Sequence, residues 1–182
     1  MKYVKKVLLS LSLMFVVLNI IGCSATVAPY KSSNTNSSYF EQVDTKIKIV
    51  SSKNSISDAT MFSRMKPIYT DEDSFSLYIV NAFNKEIMYG LKGKKTSQEK
   101  TLTFELQDIG LTTSLFGSYW EFKALLSSKN GKNMNIEYKY DFPSSFNGEL
   151  AVKYAARSFQ PAVQTFIGEI IYNDKFQELI KD

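Results

Sequence analysis

The sequence YWEFKALLSSKNGKNMNIEYKYDF, residues 119–142, predicts a β-hairpin. Apolar side chains recur at alternate positions on both sides of the Asn130-Gly131 pair, and this period of two is typical of strands with one buried face. Asparagine and glycine accept the positive backbone angles that a tight two-residue turn needs. The two halves are therefore expected to pair antiparallel, with Trp120 and Phe122 on the buried face.

Two further strands are predicted on the amino-terminal side of this hairpin. Residues 101–107 alternate leucine and phenylalanine with polar side chains, which adds a third strand to an antiparallel meander. Residues 45–50 alternate charged with aliphatic side chains and predict an earlier strand, whose place in the sheet the pattern leaves open. Residues 51–66 are rich in serine and asparagine and are expected to form a loop.

A helix is predicted directly after Ser74. Residues 75–87 place apolar side chains three and four positions apart, Asp73 or Ser74 can cap the first turn, and Gly90 can supply a left-handed stop. The acidic run 71–73 complements the positive end of the helix dipole. A cation site is the weaker interpretation of this run, because it lacks the glycine and the distal glutamate of a calcium loop.

A second, longer helix is predicted from Gly148 or Glu149 onward. Pro161 interrupts its apolar periodicity, and a proline inside a helix removes one amide donor and clashes with the preceding turn. The sequence therefore predicts either a kinked helix or two helices that meet near Ser158. Residues 174–181 predict a short terminal helix that docks on the sheet.

The order of these elements is strand, helix, three strands and helix, which predicts an α+β fold. An antiparallel-rich sheet of about four strands would be covered on one face by the two main helices, while the other face meets solvent. We expect a single globular domain over residues 39–182, because 182 residues with 44% hydrophobic side chains suffice for one core and an appendage.

The amino terminus carries a signal-peptide pattern. Three lysines within residues 1–6 precede an apolar run over residues 7–21. A helix of that run would measure ~22 Å, which is short of a ~30 Å hydrocarbon core. Residues 1–22 are therefore predicted to be a secretory signal peptide rather than a permanent spanning helix.

The end of this segment, Ile20-Ile21-Gly22-Cys23, resembles the lipobox of bacterial lipoproteins. The resemblance implies that signal peptidase II recognises Ile20, Ile21 and Gly22 and cleaves before Cys23, whose sulfur carries a diacylglycerol thioether. An uncleaved helix followed by a buried core cysteine is the alternative. Ser24 stands where an aspartate would indicate retention in the inner membrane, so the resemblance favours the outer membrane.

Residues 23–38 are predicted to form a lipidated flexible tether. They are dominated by serine, threonine and asparagine, a composition that favours a spacer over a recognition peptide. A flexible coil of this length has a root-mean-square span of ~20 Å. The domain is therefore expected to stand off the lipid headgroups.

The composition limits the chemistry that the chain can perform. It contains no histidine and one cysteine, which excludes His-based triads, His or Cys zinc sites and an intramolecular disulfide. No Gly-x-Ser-x-Gly turn and no glycine-rich nucleotide loop is present in the sequence. We therefore predict no catalytic, cofactor-binding or metal-binding residues, and no enzymatic activity.

The charge balance bears on possible partners. Of the 22 lysines and arginines, three lie in the predicted signal peptide, so the remaining 19 nearly balance the 18 acidic residues. A nucleic-acid partner is not expected, because such a chain lacks the basic field that phosphate binding needs. The basic run over residues 90–95 is interpreted as a solvated loop rather than a contact with anionic lipid or glycan.

The carboxyl-terminal part shows a second resemblance. Residues 124–134 (ALLSSKNGKNM), the tyrosine-bearing strand after them, the long helix and residues 176–181 (FQELIK) resemble the carboxyl-terminal half of the YajG-like family of bacterial lipoproteins. The resemblance is close over the last third of the chain and extends to the rest by pattern. It implies an envelope lipoprotein with no established enzymatic activity.

Three roles agree with these patterns. The first is an outer-membrane lipoprotein whose noncatalytic, periplasm-facing domain binds or scaffolds another envelope component. The second is a surface-exposed adhesin or host-ligand binder. The third is an auxiliary lipoprotein of a lipid transporter, with an acyl chain held in a groove between sheet and helix. The expected partners are the membrane, through the covalent lipid, and a protein of the envelope.

Overall fold

The structure, a computed structural model, describes residues 24–94 and 99–181. Within these ranges the helices are α1 (Asn34–Phe40), α2 (Phe75–Gly90), α3 (Gly148–Ile171) and α4 (Asp174–Ile180). The strands are β1 (Ala25–Thr26), β2 (Lys46–Ser51), β3 (Thr60–Ser63), β4 (Lys66–Tyr69), β5 (Glu99–Thr113), β6 (Ser118–Ser128) and β7 (Asn133–Phe142).

The main sheet has the strand order β2-β5-β6-β7 and confirms the predicted meander. Strands β5, β6 and β7 pair antiparallel, and Trp120 lies opposite Tyr140 in the hairpin. Gly131 adopts the expected left-handed backbone at the hairpin turn, with a φ of +85°, but Asn130 does not have a positive φ. The predicted two-residue turn is therefore wrong in this detail, since the amide of Ser128 bonds to the oxygen of Lys132 and closes a longer turn. Strand β2 pairs parallel with β5 at the sheet edge, a position that the alternation pattern left open.

Helices cover one face of this sheet and form the predicted α+β layers. Trp120 and Phe122 of β6 are buried under α3, where the Phe159 ring centroid lies 4.8 Å from that of Trp120. Phe166 stacks on Phe122 at 4.9 Å. The indole nitrogen of Trp120 donates to the hydroxyl of Ser158 at 3.0 Å, so its polar atom is satisfied inside the core.

Helix α2 begins as predicted but ends differently. Ser74 caps its first turn, because its hydroxyl oxygen accepts a hydrogen bond from the amide of Leu77 at 3.0 Å. Gly90 is the last helical residue rather than a left-handed stop. The cap is Leu91 with a φ of −89°, and the left-handed backbone appears at Gly93 with a φ of +81°.

Gly90 is required for a close contact between two helices. A Cβ atom at this position would lie 2.1 Å from the backbone oxygen of Ser37 and 2.6 Å from the Cβ atom of Phe40. Both residues belong to α1, which therefore packs directly on the backbone of α2. Only a residue without a side chain allows this approach.

Helix α3 runs through Pro161 as one element of 24 residues. The alternative of two helices meeting near Ser158 is therefore wrong. The physical reason is burial on both sides of the proline, since Phe159 and Val163 are fully enclosed in the same core. The packing of one continuous apolar face outweighs the loss of a single backbone hydrogen bond.

Residues 60–69 contain a small hairpin where the sequence predicted a loop over residues 51–66. Strands β3 and β4 pair antiparallel, and a second sheet has the order β1-β4-β3. Each strand has only four residues, too few for a clear alternation. Its two-residue turn, Arg64-Met65, adopts positive φ without glycine or asparagine, so the usual turn signal is missing.

The predicted flexible tether is also wrong for the residues that the structure describes. Residues 24–38 contribute β1 and the first part of α1, with Val27 and Tyr30 buried in the core. The polar composition that suggested a spacer serves local structure instead, since the hydroxyl of Ser33 caps α1. The folded part therefore extends to the amino-terminal side of residue 39. Residues 1–22 and Cys23 lie outside the described residues.

Candidate functional site

The sequence-predicted site residues Ile20, Ile21, Gly22 and Cys23 lie outside the described residues, and the structure begins at the next one, Ser24. The described part of this region is therefore the segment that follows them. This segment enters β1 at once and pairs parallel with β4. The pairing continues beyond Thr26, because the amide of Val27 donates a hydrogen bond of 2.8 Å to the backbone oxygen of Tyr69.

Glu86 of α2 fixes this amino-terminal segment through hydrogen bonds. Its carboxylate is fully buried and accepts three hydrogen bonds, from the hydroxyl of Tyr30, the amide of Ser33 at 2.8 Å and the hydroxyl of Ser37 at 2.5 Å. A buried carboxylate is tolerated when such donors replace water. Burial, reinforced by Glu86, raises the pKa of Tyr30 well above its usual range, so the phenol remains a donor.

Sequence reasoning missed Glu86. It stands within the apolar stripe of α2, one position before the buried Ile87. A charged residue at a core position of an amphipathic helix was the available signal, because such residues are rarely buried unless they are paired. The sequence could not name its partners, which lie 49 to 56 positions away.

Helix α3 holds the same segment from the other side. The side-chain amide of Asn36 donates to the backbone oxygen of Gln164 at 2.8 Å, and the Gln164 amide donates to the oxygen of Lys31 at 2.7 Å. The hydroxyl of Tyr172 donates to the oxygen of Thr35 at 3.0 Å. The chain after Ser24 is therefore built into the domain.

A groove of about 600 Å³ lies between the end of α2 and the start of β2 and β5. Its apolar lining residues, called the floor, are Ile47, Ile87, Met88 and Leu91. Its charged lining residues, called the rim, are Lys46, Lys48, Lys92, Lys94 and Glu99, and all but Glu99 are basic. Asn84 connects α2 to β2 beside the groove. Its side-chain oxygen accepts from the amide of Ile49 at 2.9 Å, and its side-chain nitrogen donates to the oxygen of Ile49 at 2.8 Å.

Two rim lysines have partners within the described residues. Lys46 forms an ion pair of 2.8 Å with Glu99, and its hydrogen bond and charge lower the pKa of Glu99. Lys94 donates to the backbone oxygens of Glu41 and Val43, the latter at 3.3 Å. Lys48 and Lys92 are exposed at the rim. Apolar floor and cationic rim together suit an anionic amphiphile.

The sequence did not predict this groove as a unit. The basic run over residues 90–95 was recognised, but the lysines of β2 join it only because β2 pairs parallel with β5 beside α2. Parallel neighbours are separated by a long crossover, here from residue 51 to residue 99. The alternation pattern carries no information about that pairing.

Other interpretations of the sequence can also be placed. The acidic run 71–73 precedes α2 as predicted, and Glu72 accepts a hydrogen bond of 3.0 Å from the side-chain amide of Asn81. Among residues 24–94 and 99–181 there is no group of three or more His, Cys, Asp or Glu side chains that could hold a metal ion. On the outer face of the sheet, Lys139 lies over the Tyr119 ring, 3.7 Å from its centroid.

Within the part of the chain that the structure describes, no helix is long and apolar enough to cross a bilayer.

No family model and no curated protein matches the sequence. Several solved structures resemble the chain, and two of them are the following. Protein XCC0632 from Xanthomonas campestris, of family model DUF330, has a TM-score of 0.46 and 8% identity, over 86% of this chain and 96% of its own. A "putative lipoprotein" from Caulobacter crescentus has a TM-score of 0.42 and 11% identity, over 81% of this chain and 96% of its own.

Proposed function

We propose that this protein is an outer-membrane lipoprotein, anchored through Cys23, whose noncatalytic domain faces the periplasm and binds or scaffolds another envelope component. The lipobox supports the anchor. The observation that carries the proposal is the attachment of the chain to the domain from Ser24 onward, with Glu86 and α3 holding it on two sides. Lipid on Cys23 would hold the folded domain directly at the bilayer.

Such an anchor attaches the domain to the membrane without any contact between the protein surface and lipid. Each buried methylene contributes ~0.8 kcal/mol, so two or three acyl chains on one cysteine hold a domain on a membrane essentially permanently. The noncatalytic part of the proposal is supported by the sequence, which lacks histidine, a Gly-x-Ser-x-Gly turn and a glycine-rich nucleotide loop.

Intact-mass spectrometry of the membrane-extracted protein tests the anchor. We expect a mature chain that begins at Cys23 and carries the added mass of a diacylglyceryl group and an amide-linked acyl chain. A bare thiol on Cys23, or a chain that still contains residues 1–22, would contradict the proposal.

Protease treatment of intact cells tests the orientation. A periplasm-facing domain is protected until the outer membrane is permeabilised, whereas loss of the domain from intact cells would favour the surface-exposed adhesin. Mild crosslinking followed by isolation of the acylated protein would then identify the envelope component. Recovery of the protein without a crosslinked envelope partner would count against the scaffold role.

The groove supports a second candidate function, the binding of an anionic amphiphile such as a fatty acid or a phospholipid. Its floor offers apolar contact to an acyl chain, and Lys48 and Lys92 stand at the rim where an acidic headgroup would lie. This arrangement supports the hypothesis of an auxiliary lipoprotein in lipid transport.

Charge reversal at the rim tests this binding. In the protein that lacks the anchor, Lys48→Glu combined with Lys92→Glu should weaken binding of the fluorescent fatty acid cis-parinaric acid about tenfold, because each exposed ion pair contributes up to ~1 kcal/mol. The matched control is Lys53→Glu combined with Lys175→Glu, which changes the net charge equally at exposed positions outside the groove. Equal affinities for the two double variants, measured by fluorescence titration, would refute the groove as the binding site.

A further inference from the structure

Three loops meet at the end of the domain that lies opposite the groove. They are the β3–β4 turn at Arg64-Met65, the β5–β6 loop over residues 114–117 and the β7–α3 loop over residues 143–147. The guanidinium of Arg64 donates to the backbone oxygen of Phe146 at 3.0 Å, which joins the first loop to the third. We call this surface the three-loop end.

Two more hydrogen bonds complete the cluster. The hydroxyl of Ser63 donates to that of Thr113 at 3.1 Å, which joins β3 to the end of β5. The hydroxyl of Ser144 donates to the backbone oxygen of Leu115 at 3.4 Å, which joins the third loop to the second. The relative positions of the three loops are therefore set by direct contacts.

The tips of these loops are apolar and exposed. The exposed fractions are 100% for Phe116, 94% for Met65 and 83% for Phe146. Of the ten large hydrophobic residues that are exposed within the described ranges, six lie in these loops or directly beside them: Phe62, Met65, Leu115, Phe116, Phe146 and Leu150. Isolated exposed hydrophobic residues are ordinary, but a concentration at one end marks an interaction surface.

The backbone of the first loop adds to this pattern. Arg64 and Met65 have φ angles of 48° and 65°, a region that disfavours residues with a β-carbon. Glycine or asparagine would form such a turn at lower cost. The chain instead places a long basic and a long apolar side chain at this turn, and Met65 is almost entirely exposed there.

The described chain begins at the same end. Strand β1 runs parallel to β4, and Ala25 pairs with Ile68, two residues after Lys66 at the β3–β4 turn. The chain thus enters β1 from the side of that turn. Cys23 is joined to Ser24 by one peptide bond, which sets their Cα atoms about 3.8 Å apart.

We propose that the three-loop end rests on the bilayer leaflet that holds the lipid on Cys23, with Met65, Phe116 and Phe146 in the interfacial region. This inference depends on the lipid anchor of the proposed function. Arg64 lies in the first loop and Lys66 directly after it, and the three loops themselves contain no aspartate or glutamate. Of the carboxylates that flank the third loop, Asp141 is paired with Lys139 at 3.6 Å and Glu149 with Lys153 at 2.6 Å. The positive charge at the first loop suits the phosphates of lipid headgroups. The anchor and three apolar tips together define one orientation of the domain.

A single fluorescent label tests this orientation. The sequence contains one cysteine, and lipid on Cys23 leaves no other thiol, so Phe116→Cys in the lipidated protein provides one site for an environment-sensitive nitrobenzoxadiazole label. Lys129→Cys is the matched control, because it is exposed beside the β6–β7 turn at the other end of the sheet. Both proteins are placed on vesicles of phosphatidylethanolamine and phosphatidylglycerol, and binding is measured independently by flotation.

We expect the label at position 116 to shift its emission to the blue on vesicles and to lose intensity when the lipids carry a spin label. The label at position 129 should keep the emission that it shows in water. Proteins that float with the vesicles while position 116 remains in water would overturn the orientation but leave the anchor intact. Proteins that lack lipid on Cys23 and do not float would overturn both proposals.

Discussion

Replacing Cys23 by serine is expected to remove the protein from the outer-membrane fraction almost completely. The substitution deletes the sulfur that is proposed to carry the diacylglycerol thioether. One acyl chain of roughly fifteen methylenes contributes on the order of 10 kcal/mol to membrane attachment, so no ordinary surface contact can replace it. The measurement is separation of the membranes by density, followed by detection of the protein in each fraction.

Ser24→Ala is the matched control for this experiment. It alters the exposed neighbouring residue but leaves the cysteine in place, so it should keep the wild-type distribution. The serine variant at position 23 should also unfold at the same temperature as the control, since the described core is formed within residues 24–181. Normal abundance of the Cys23 variant in the outer membrane would refute the anchor.

The second large effect is expected for Gly90→Ala, which should lower the free energy of unfolding by about 3 kcal/mol, the upper part of the range for overpacked contacts. The added Cβ would meet the backbone oxygen of Ser37 at 2.1 Å, and a backbone atom cannot move aside alone. Helix α1 must then shift away from α2. Urea unfolding gives the change in stability, and hydrogen exchange should show faster exchange of amides in residues 33–40.

Gly148→Ala provides the comparison for this prediction. It makes the same change at the first residue of α3, where the added carbon meets nothing within 4 Å apart from its chain neighbours and the backbone of its own helix. We expect its stability to be unchanged or slightly raised, since alanine is the better helix former. If both variants unfold at the same urea concentration, the packing of α1 on α2 is not as close as described.

The central hairpin and the two main helices could be predicted because their signals are local. Alternation over residues 119–142 and the Asn130-Gly131 pair specify one hairpin, and each apolar helix stripe specifies one buried face. The parallel placement of β2 has no local signal, and β3 and β4 are too short to show a period. These elements are positioned by tertiary contacts that act over long separations in the chain.

The amino-terminal segment shows why composition misled the prediction. Serine and asparagine are typical of spacers when they are solvated, yet in this segment Ser37 and Asn36 are buried and hydrogen-bonded to partners far along the chain. Such partners become visible only after the fold brings α2 and α3 together. The lipobox-like sequence, in contrast, is contiguous, so a candidate attachment residue can be named from the sequence alone.

Strand β5 has fifteen residues and joins the two ends of the domain, with Glu99 at the groove and Thr113 beside the three-loop end. At ~3.3 Å per residue it measures roughly 45 Å. Under the proposed orientation, the length of this strand sets the distance between the membrane-facing loops and the lysine-rimmed groove. That distance is then fixed by a continuous β-strand rather than by the length of a flexible linker.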